Sequence, residues 1–288
     1  MKIAIIGSTG FIGKYLAKSW NHEKDELRFF NSKNPIWEKG GVLTQYFAEC
    51  DLFIWTAGYA NPSSAAKSNY IGKIETRELL RAAQSLNIIG KKFPKRFIFL
   101  SSAGCTYTGS SSPYIEGDEA LGTNAYGRMK LAQESILSSH IENLAIIRLA
   151  NVFGTGQPIG KGQGVIAEWF AAIEKGTNPV IYGEIENYRD YIHVLDSVSA
   201  IEMVAKSQEI GILNVGSGIA TSLEQLKEYF TKIVRVELNF DSDQTRKTDR
   251  AGYYLSISKI TNSLAWKPKI ELKDGIEMIY RDSKVSRE

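Results

Sequence analysis

A glycine-rich turn near the N-terminus constrains the fold more than any other feature of the sequence. It consists of Gly7-Ser8-Thr9-Gly10-Phe11-Ile12-Gly13 and directly follows the short apolar run from Ile3 to Ile6. A strand that ends in such a turn and opens a helix can bind a dinucleotide, because the glycines permit a tight turn, the approach of a pyrophosphate and close helix packing. We therefore predict cofactor contacts at Gly7, Thr9, Gly10, Phe11, Ile12 and Gly13.

Short apolar runs alternate with amphipathic runs through the first half of the chain. The predicted strands are Ile3 to Ile6, Leu27 to Phe30, Leu52 to Thr56, Arg96 to Ser101 and Leu144 to Leu149. The predicted helices between them include Phe11 to Trp20, Ile71 to Leu86 and Ala125 to Ser138. This alternation favours an α/β fold, a Rossmann-type doubly wound parallel sheet with helices on both faces.

The pattern changes in the second half of the chain. A glycine-rich stretch from Gly154 to Gly164 precedes a predicted helix from Val165 to Lys175, and the elements that follow are short and irregular. We expect an NAD(P)-binding Rossmann domain over residues 1–150 and a smaller, mainly substrate-binding lobe over residues 151–288, with segments that return to the first domain. A chain of 288 residues is long enough for this arrangement.

Charge and cysteine content exclude several classes of protein. The 35 basic and 32 acidic side chains leave a formal charge of +3, which is too small and too dispersed for a nucleic-acid interface. Cys50 and Cys105 cannot form a disulfide framework and have no cysteine or histidine neighbour at metal-ligand spacing, so we expect no metal and a reducing compartment. No signal segment precedes the first strand and no apolar run reaches the length of a membrane span. The expectation is a cytoplasmic protein without membrane contact.

Tyr126 and Lys130 are four residues apart in a predicted helix, a spacing that places both on one face. A phenol is a poor base near neutral pH, but an ammonium about 4 Å away stabilises a phenolate by roughly 4 kcal/mol at an effective dielectric constant of about 20. Since one pKa unit corresponds to about 1.4 kcal/mol, the pKa of Tyr126 is expected to fall by about two or three units. The pair is a candidate for proton transfer, although the same spacing is common on helix surfaces, and the companions of the pair decide between the two interpretations.

The Gly-x-x-Gly-x-x-Gly turn and the Tyr-x-x-x-Lys pair together resemble those of the short-chain dehydrogenase/reductase superfamily. More narrowly, the chain resembles over nearly its whole length the extended branch of NAD(P)-dependent sugar-nucleotide epimerases and dehydratases. The resemblance implies a catalytic triad of Ser102, Tyr126 and Lys130, in which Tyr126 and Lys130 also contact the cofactor. Ser101 is the alternative hydroxyl if the register of the strand end differs by one residue.

The same resemblance implies further cofactor contacts after the second and third strands. In NAD-using relatives an acidic residue closes the second strand, whereas Asn31, Ser32 and Lys33 stand at this place here. These side chains can hydrogen-bond a 2′-phosphate and offset its charge, which leans toward NADP over NAD, although Lys33 also suits a solvated loop. The segment that leads to Asp51 is shorter than is usual in the family, which reduces the expected adenine pocket. The small-residue turn beside the cofactor ribose corresponds to Thr56, Ala57 and Gly58.

The residues that follow the candidate serine bear on the type of reaction. Dehydratases that resemble this chain carry an Asp-Glu pair immediately after the catalytic hydroxyl. Ala103 and Gly104 occupy this place and cannot transfer protons, so dehydration is not expected. Relatives that epimerise two carbons and then reduce use an added cysteine and histidine. Cys105 is nearby, but no histidine follows Asn151 in the corresponding segment, and we interpret Cys105 as a small buried residue.

Candidate substrate contacts lie in the second half of the chain. The segment around Asn151 resembles one whose asparagine contacts a sugar-nucleotide diphosphate. The segment Arg189-Asp190-Tyr191-Ile192-His193-Val194 resembles a signature whose arginine grips the same diphosphate, for which a bidentate guanidinium is suited. By the resemblance, His193 has a structural role and Arg250 is a second diphosphate contact. Tyr253 stands where relatives often have an acidic residue that meets the nucleoside ribose.

These features imply a nucleotide-sugar epimerase, and the segment from Arg189 to Val194 favours a 4-epimerase of an NDP-hexose. The alternative is an NDP-4-keto-6-deoxyhexose reductase, favoured by the lean toward NADP and the compact chain. A non-catalytic protein that senses a dinucleotide is a remote alternative, because such relatives often lose the tyrosine or the lysine. The resemblance also implies a homodimer through a four-helix interface of Ile71 to Leu86 and Ala125 to Ser138, two amphipathic helices that equally suit packing on the sheet.

Overall fold

The structure is a computed structural model that describes residues 1–20, 24–68, 70–90, 95–109, 112–160, 164–234, 238–243 and 252–285. Its strands are β1 (Lys2–Ile6), β2 (Glu26–Phe30), β3 (Leu52–Trp55), β4 (Arg96–Ser102), β5 (Leu144–Leu149), β6 (Asn151–Phe153), β7 (Val180–Tyr182), β8 (Tyr188–Arg189), β9 (Tyr191–His193), β10 (Gly211–Val215), β11 (Thr221–Ser222) and β12 (Asp241–Asp243). Its helices are α1 (Phe11–Ser19), α2 (Gln45–Ala48), α3 (Pro62–Lys67), α4 (Tyr70–Gly90), α5 (Ala125–His140), α6 (Val165–Glu174), α7 (Val194–Lys206), α8 (Leu223–Val234), α9 (Ser258–Leu264) and α10 (Leu272–Val285). Each predicted strand and helix is present, and the largest shift is at α4, which continues from Leu86 to Gly90.

The central sheet has six strands in the order β10-β5-β4-β3-β1-β2, and all neighbours are parallel. The chain runs outward from β1 to β2 and then crosses to β3 on the other side of β1, which makes the gap between β1 and β3 a topological switch point. Ligands of open α/β sheets bind outside the carboxyl ends of the strands at such a point. The predicted Rossmann-type parallel sheet is confirmed.

The sheet edge at β2 departs from the usual Rossmann order 3-2-1-4-5-6, in which a further strand lies outside the second one. Residues 31–51 instead form a bridge between Trp37 and Leu43 and the single-turn helix α2. The strand β2 is therefore the outermost strand of the sheet. The short connection leaves little polypeptide to surround a ligand on this side.

Alternate residues of the central strands enter different core layers, as the two-residue period of a strand requires. Ile3 and Ile5 of β1 pack in the layer with α1 and α7, whereas Ala4 and Ile6 pack in the layer with α4 and α5. Because helices cover both faces, the strands can be continuous apolar runs. The polar carboxyl ends of these strands are consequently the places where chemistry can occur.

A third apolar cluster is built from the second half of the chain, around Trp169, Phe170 and Phe230. It joins α6, α8 and α10 with residues of the short strands β6, β7 and β9. The strand β10, by contrast, pairs with β5 and extends the main sheet. The second half of the chain therefore contributes to both the lobe and the sheet. Within the described ranges, no helix combines the length and apolarity needed to cross a membrane.

Candidate active site

The glycine turn lies at the carboxyl end of β1 and is tied to β2. The amide of Gly7 donates to the carbonyl of Phe30 (2.8 Å), and the amide of Gly10 donates to that of Gly7 (2.9 Å). A methyl group at Gly13 would overlap the carbonyl of Gly7, so glycine is needed for α1 to pack this closely. Gly10 caps α1 without a side-chain hydrogen bond, so the first-turn amides suit the pyrophosphate of a dinucleotide. The other predicted contacts here are the exposed Thr9 and the partly buried Phe11 and Ile12.

Asn31 shapes the turn after β2. Its Oδ1 accepts hydrogen bonds from the amides of Lys33 (2.9 Å) and Asn34 (3.2 Å), and its Nδ2 donates to Ser8 Oγ in the glycine turn (3.3 Å). Ser32 and Lys33 are exposed beside it. Asn31 thus joins the two turns, and the residues predicted to favour NADP lie at the outer edge of the sheet.

Thr56 and Ala57 close the other side of the glycine turn. Thr56 Oγ1 donates to the carbonyl of Ile6 (2.9 Å), and the backbone of Ala57 lies directly against Gly7. The chain then runs through residues 58–60 to α3. All three predicted cofactor segments, after β1, β2 and β3, therefore converge at one end of the sheet.

The strand β4 ends in two serines with different surroundings. Ser101 is buried, and its hydroxyl donates to Glu134 Oε1 on α5. Ser102 is partly exposed at the last position of the strand, paired with the end of β5. Because successive side chains of a strand point to opposite faces, the two hydroxyls cannot exchange roles. The surroundings of Ser102 suit a catalytic hydroxyl and those of Ser101 do not.

The first turn of α5 is fastened to the loop that follows Ser102. Asn124 caps the helix by accepting from the amide of Gly127 (2.9 Å), and its Nδ2 lies 3.4 Å from Cys105 Sγ. A side chain at Gly127 would overlap the carbonyl of Cys105, so the helix and the loop are in direct backbone contact. Cys105 is partly exposed here, which differs from the buried position we expected. Both its backbone and its thiol contact the start of α5.

Lys130 fastens α5 to β4 at a second point. Its Nζ donates to the carbonyl of Leu100 (3.2 Å), two residues before Ser102. Along the chain, Ser102 therefore lies between the two places where α5 is attached, Leu100 and Cys105. We call Ser102, Tyr126 and Lys130 the proton-transfer cluster.

The charge state of Lys130 is strongly affected by its surroundings. The side chain is 6% exposed, and burial lowers its pKa to about 8. Two carboxylates, Glu75 and Glu134, act in the opposite direction. The ammonium also lies 4.8 Å from the centroid of the Phe99 ring. Lys130 is thus a cation at neutral pH that loses its proton within reach of physiological conditions.

The pKa of Tyr126 is raised, which corrects the expectation that Lys130 would lower it. Burial is the largest cause, and the charges of Cys105 and Glu75 raise the pKa further. Lys130 Nζ lies 5.9 Å from the centroid of the Tyr126 ring, because it is drawn toward the carbonyl of Leu100. The spacing argument counted the nearby ammonium but left out the effect of burial, which is larger.

A set of buried polar side chains lies beneath the cluster, and we call it the support network; it consists of Ser101, Tyr107, Glu134, Arg148 and Asn214. Arg148 binds Glu134 through two hydrogen bonds of 3.1 Å and 2.7 Å. Its guanidinium lies 4.7 Å from the centroid of the Tyr107 ring, and Tyr107 Oη donates to Asn214 Oδ1 (2.7 Å). The network links β4, α5, β5 and β10 at the level of the reacting groups.

The candidate substrate residues lie just beyond the carboxyl end of β5. Arg189 is partly buried, and its Nη1 donates to the carbonyl of Tyr188 (2.8 Å). The next residue, Asp190, is fully buried and accepts from the amides of Ser217 (2.7 Å) and Leu255 (3.2 Å). The amide of Asn151 donates to the carbonyl of Asp190 (2.9 Å). Asp190 therefore holds Asn151 and Arg189 next to each other, while Arg250 lies outside the described residues.

Tyr253 connects this region to the loop after β4. Its side chain is buried, and a methyl group at Gly104 would lie 2.6 Å from its Oη. Burial raises the pKa of Tyr253 well above its ordinary value, with Asp190 and Cys105 adding to the rise and Arg189 opposing it. Its contacts are internal, so Tyr253 packs between the two halves of the site.

The model of the NAD dependent epimerase/dehydratase family matches residues 3–216. The chain belongs to this family. It is 29% identical, over an alignment of 311 positions that covers 96% of each chain, to a putative UDP-glucose 4-epimerase of Methanocaldococcus jannaschii. It is 30% identical over 192 residues, covering 65% of this chain and 61% of the other, to the dTDP-4-dehydro-6-deoxyglucose reductase of Escherichia coli. The fold is similar to that of a UDP-glucose 4-epimerase from Thermotoga maritima, with a TM-score of 0.85, 21% identity and full coverage of both chains.

In this member of the epimerase/dehydratase family, the contacts of His193 are with neighbouring parts of the fold. Its Nδ1 accepts from the amide of Leu195 (3.4 Å) at the start of α7, and its ring packs edge-on against Phe153 with centroids 5.3 Å apart. Across the described part of the chain, no group of histidine, cysteine and acidic side chains is arranged to hold a metal ion.

Sequence reasoning missed two features of this family member. The first is the buried pair of Glu134 and Arg148, although an arginine inside the apolar run Leu144 to Leu149 is a signal for such a pair. The second is Glu75 on α4, whose carboxylate accepts hydrogen bonds from the amides of Tyr59 and Ala60. A single acidic residue in a helix of mixed polarity carries no sequence signal of this kind.

Proposed function

We propose that this family member is an NAD(P)-dependent epimerase of nucleotide sugars, and more narrowly a 4-epimerase of an NDP-hexose. The observation that carries the proposal is the convergence of the glycine turn and the proton-transfer cluster at one end of the sheet, with Arg189 beyond the end of β5. In this proposal residues 1–150 hold the dinucleotide and residues 151–288 mainly hold the substrate. The identity with the putative 4-epimerase over nearly the whole chain supports the narrower assignment.

The residues of the cluster suit oxidation and re-reduction of a sugar carbinol, for which a bound nicotinamide dinucleotide supplies the hydride acceptor and donor. Ser102 Oγ donates a hydrogen bond to the sugar oxygen, and Tyr126 Oη receives the hydroxyl proton as the carbinol is oxidised. Lys130, held by the Leu100 carbonyl, offsets the charge of the phenolate. Tyr126 returns the proton once the sugar presents its other face.

Ala103 and Gly104 argue against dehydration. Elimination of water needs an acid and a base in addition to the tyrosine, and neither residue has a titratable side chain. Ala103 is fully buried, and Gly104 lies against Tyr253 Oη. We therefore propose hydride and proton transfer at a carbinol without elimination.

One observation favours a second function, that of an NDP-4-keto-6-deoxyhexose reductase. The strand β2 is outermost and Ser32 and Lys33 are exposed, so little protein surrounds the adenosine half of a dinucleotide. Easy exchange suits a reductase, which must release its cofactor after every turnover, whereas an epimerase regenerates it in place. The identity with the Escherichia coli reductase supports this candidate, which would use the same residues.

Retention of the cofactor distinguishes the two functions. The purified protein is passed through gel filtration, any bound dinucleotide is identified, and UDP-, dTDP-, GDP- and CDP-hexoses are supplied without added NAD(P)H. An epimerase retains NAD or NADP and interconverts C4 epimers, whereas a reductase needs added cofactor and a 4-keto sugar. A protein that binds a dinucleotide and converts none of these sugars would support the non-catalytic alternative and contradict our proposal.

We further propose that the protein is a homodimer through α4 and α5. The start of α4 exposes Tyr70, Ile71 and Ile74, which are 70%, 38% and 45% exposed. Exposed apolar side chains on one helix face are typical of an interaction surface. Light scattering of the purified protein tests this proposal, and the mass of a single chain would contradict it.

A further inference from the structure

Glu75 occupies a notable place beside the proton-transfer cluster. Its Oε1 accepts hydrogen bonds from the amide of Tyr59 and, at 2.6 Å, from that of Ala60. Its Oε2 lies 4.0 Å from the position that a methyl group at Gly58 would take. The carboxylate is therefore seated against the turn after β3, in the segment predicted to contact the cofactor.

The same part of α4 packs against α5. Thr76, the residue after Glu75, accepts a hydrogen bond from Gln133 Nε2 on α5 (3.3 Å). Gly72 is three residues before Glu75 and four before Thr76, so these positions share one face of the helix. Gln133 comes one turn after Lys130 in α5. Glu75 is thus placed between the turn after β3 and the turn of α5 that carries Lys130.

The titratable groups that act on Lys130 and Tyr126 come from three elements. Glu75 belongs to α4, Glu134 to α5, and Cys105 to the loop after β4. The charge of Glu134 is offset by its two hydrogen bonds from Arg148, whereas the amides bound to Glu75 are neutral. The charge of Glu75 is therefore less compensated than that of Glu134, and both act on Lys130.

We propose that Glu75 is a positioning residue of the proton-transfer cluster, which fixes the turn after β3 and supplies the negative charge that keeps Lys130 an ammonium. The proposal rests on the proposed function, in which Lys130 must be a cation to offset the Tyr126 phenolate. The same charge makes Tyr126 harder to ionise. Glu75 therefore moves the working range of both groups toward higher pH.

Three substitutions separate the charge of Glu75 from its hydrogen bonds. Glu75→Gln keeps an oxygen that can accept from the two amides and removes the charge, whereas Glu75→Ala removes both. Glu78→Gln is the matched control, because Glu78 lies three residues on in the same helix and pairs with Arg81 at the surface (3.0 Å).

The titration of Lys130 is followed by ¹³C NMR of protein labelled at the lysine ε-carbon, with the signal assigned by its absence in Lys130→Met. We expect the midpoint to fall by at least about half a pH unit in Glu75→Gln and to stay unchanged in Glu78→Gln. Both limbs of the pH profile of kcat should move in the same direction in Glu75→Gln. Glu75→Ala should show the same shift and also weaken dinucleotide binding, because the turn is released.

An unchanged Lys130 midpoint in Glu75→Gln would overturn the proposal. The NMR titration needs no substrate, so its outcome is independent of the reaction. A shifted midpoint in a protein that converts no nucleotide sugar would refute the proposed function and leave the charge role of Glu75 in place. Turnover of a nucleotide sugar with an unshifted midpoint would refute the role of Glu75 alone. If Glu75→Ala does not fold, Glu75→Gln still decides the question.

Discussion

The support network and the proton-transfer cluster meet at the carboxyl end of β4, and they treat buried charge in opposite ways. In the network, Arg148 and Glu134 are 4% and 5% exposed and bind each other through two hydrogen bonds. In the cluster, Lys130 is equally buried, but its hydrogen bond is to a neutral carbonyl and its pKa falls to about 8. Ser101 belongs to the support network, whereas Ser102, the next residue in the chain, belongs to the proton-transfer cluster.

This difference separates a structural use of buried charge from a chemical one. A buried charge that is fully paired holds elements in register and does not change its protonation near neutral pH. A buried charge with weaker compensation has a shifted pKa, which is costly for folding but useful for chemistry. The two sets can therefore be separated by experiment, since one should control stability and the other turnover.

The largest expected effect is on turnover and comes from Tyr126→Phe. The substitution removes the hydroxyl to which we assign the proton transfer, and we expect kcat to fall by about 10²- to 10⁴-fold with little change in the free energy of unfolding. Tyr107→Phe is the matched control, because it removes the same atom from the support network. It should lower the free energy of unfolding by about 1 to 2 kcal/mol and leave kcat nearly unchanged. Similar losses of kcat in both variants would contradict the distinction between the proton-transfer cluster and the support network.

The next effect is on stability and comes from Arg148→Met. It leaves the Glu134 carboxylate buried without its partner, and we expect the free energy of unfolding to fall by about 3 to 5 kcal/mol. Urea denaturation measures this as a lower midpoint with an unchanged m-value. The double variant Arg148→Met/Glu134→Leu should recover part of the loss, because no unpaired charge remains. A double variant less stable than the single one would contradict the ion-pair explanation.

The sequence predicted the cluster more completely than the network, for physical reasons. The glycine turn, Tyr126 and Lys130 are recognised by local spacing that matches the helix and strand periods, so their elements are placed within a few residues. Glu134 and Arg148 pair across two elements, and their contact depends on how α5 packs against β5. No local pattern fixes that packing.

The pKa of Tyr126 was predicted wrongly for a related reason. The prediction counted the ammonium of Lys130, but burial of the site has the larger effect on the pKa of the phenol. Glu75 was missed because no sequence pattern connects it with its partners, the amides of residues 59 and 60. Local patterns thus predict which groups react, whereas tertiary packing sets their charge states.

A sharper comparison uses the two serines, which differ by a single position. Ser102→Ala removes the hydroxyl that we propose to hydrogen-bond the sugar oxygen, and we expect a loss in kcat of about 10²-fold without loss of stability. Ser101→Ala removes the hydrogen bond to Glu134 and should lower the free energy of unfolding by about 1 to 2 kcal/mol with kcat retained. Kinetics and urea denaturation of the pair check both outcomes. The reverse pattern would assign the catalytic hydroxyl to Ser101.

The last comparison concerns Lys130→Met, for which the expected change in stability has the opposite sign. Burial lowers the pKa of Lys130 from 10.5 to about 8, so the ammonium destabilises the native state at pH 7 by at most about 3 kcal/mol. Lys130→Met removes this charge but also the hydrogen bond to Leu100. We expect the variant to gain about 1 to 3 kcal/mol in the free energy of unfolding at pH 7 and to lose turnover. A loss of stability would mean that Lys130 is structural, like Arg148.

The pH dependence of this gain tests its cause. Below about pH 8 Lys130 is protonated in the native and in the unfolded protein, and the native protein carries the full cost of the buried charge. Between about pH 8 and 10.5 the native protein has released this proton, whereas the unfolded chain still binds it. Wild-type stability therefore rises through this window relative to Lys130→Met, and the advantage of the variant should shrink. The arginine–glutamate pair of the wild type keeps its charges in this window, so a pH dependence of the Arg148→Met deficit would report only the effect of the unpaired Glu134 on Lys130. Denaturation series at several pH values compare the two, and parallel curves for Lys130→Met and wild type would show that the buried ammonium is not what separates the cluster from the network.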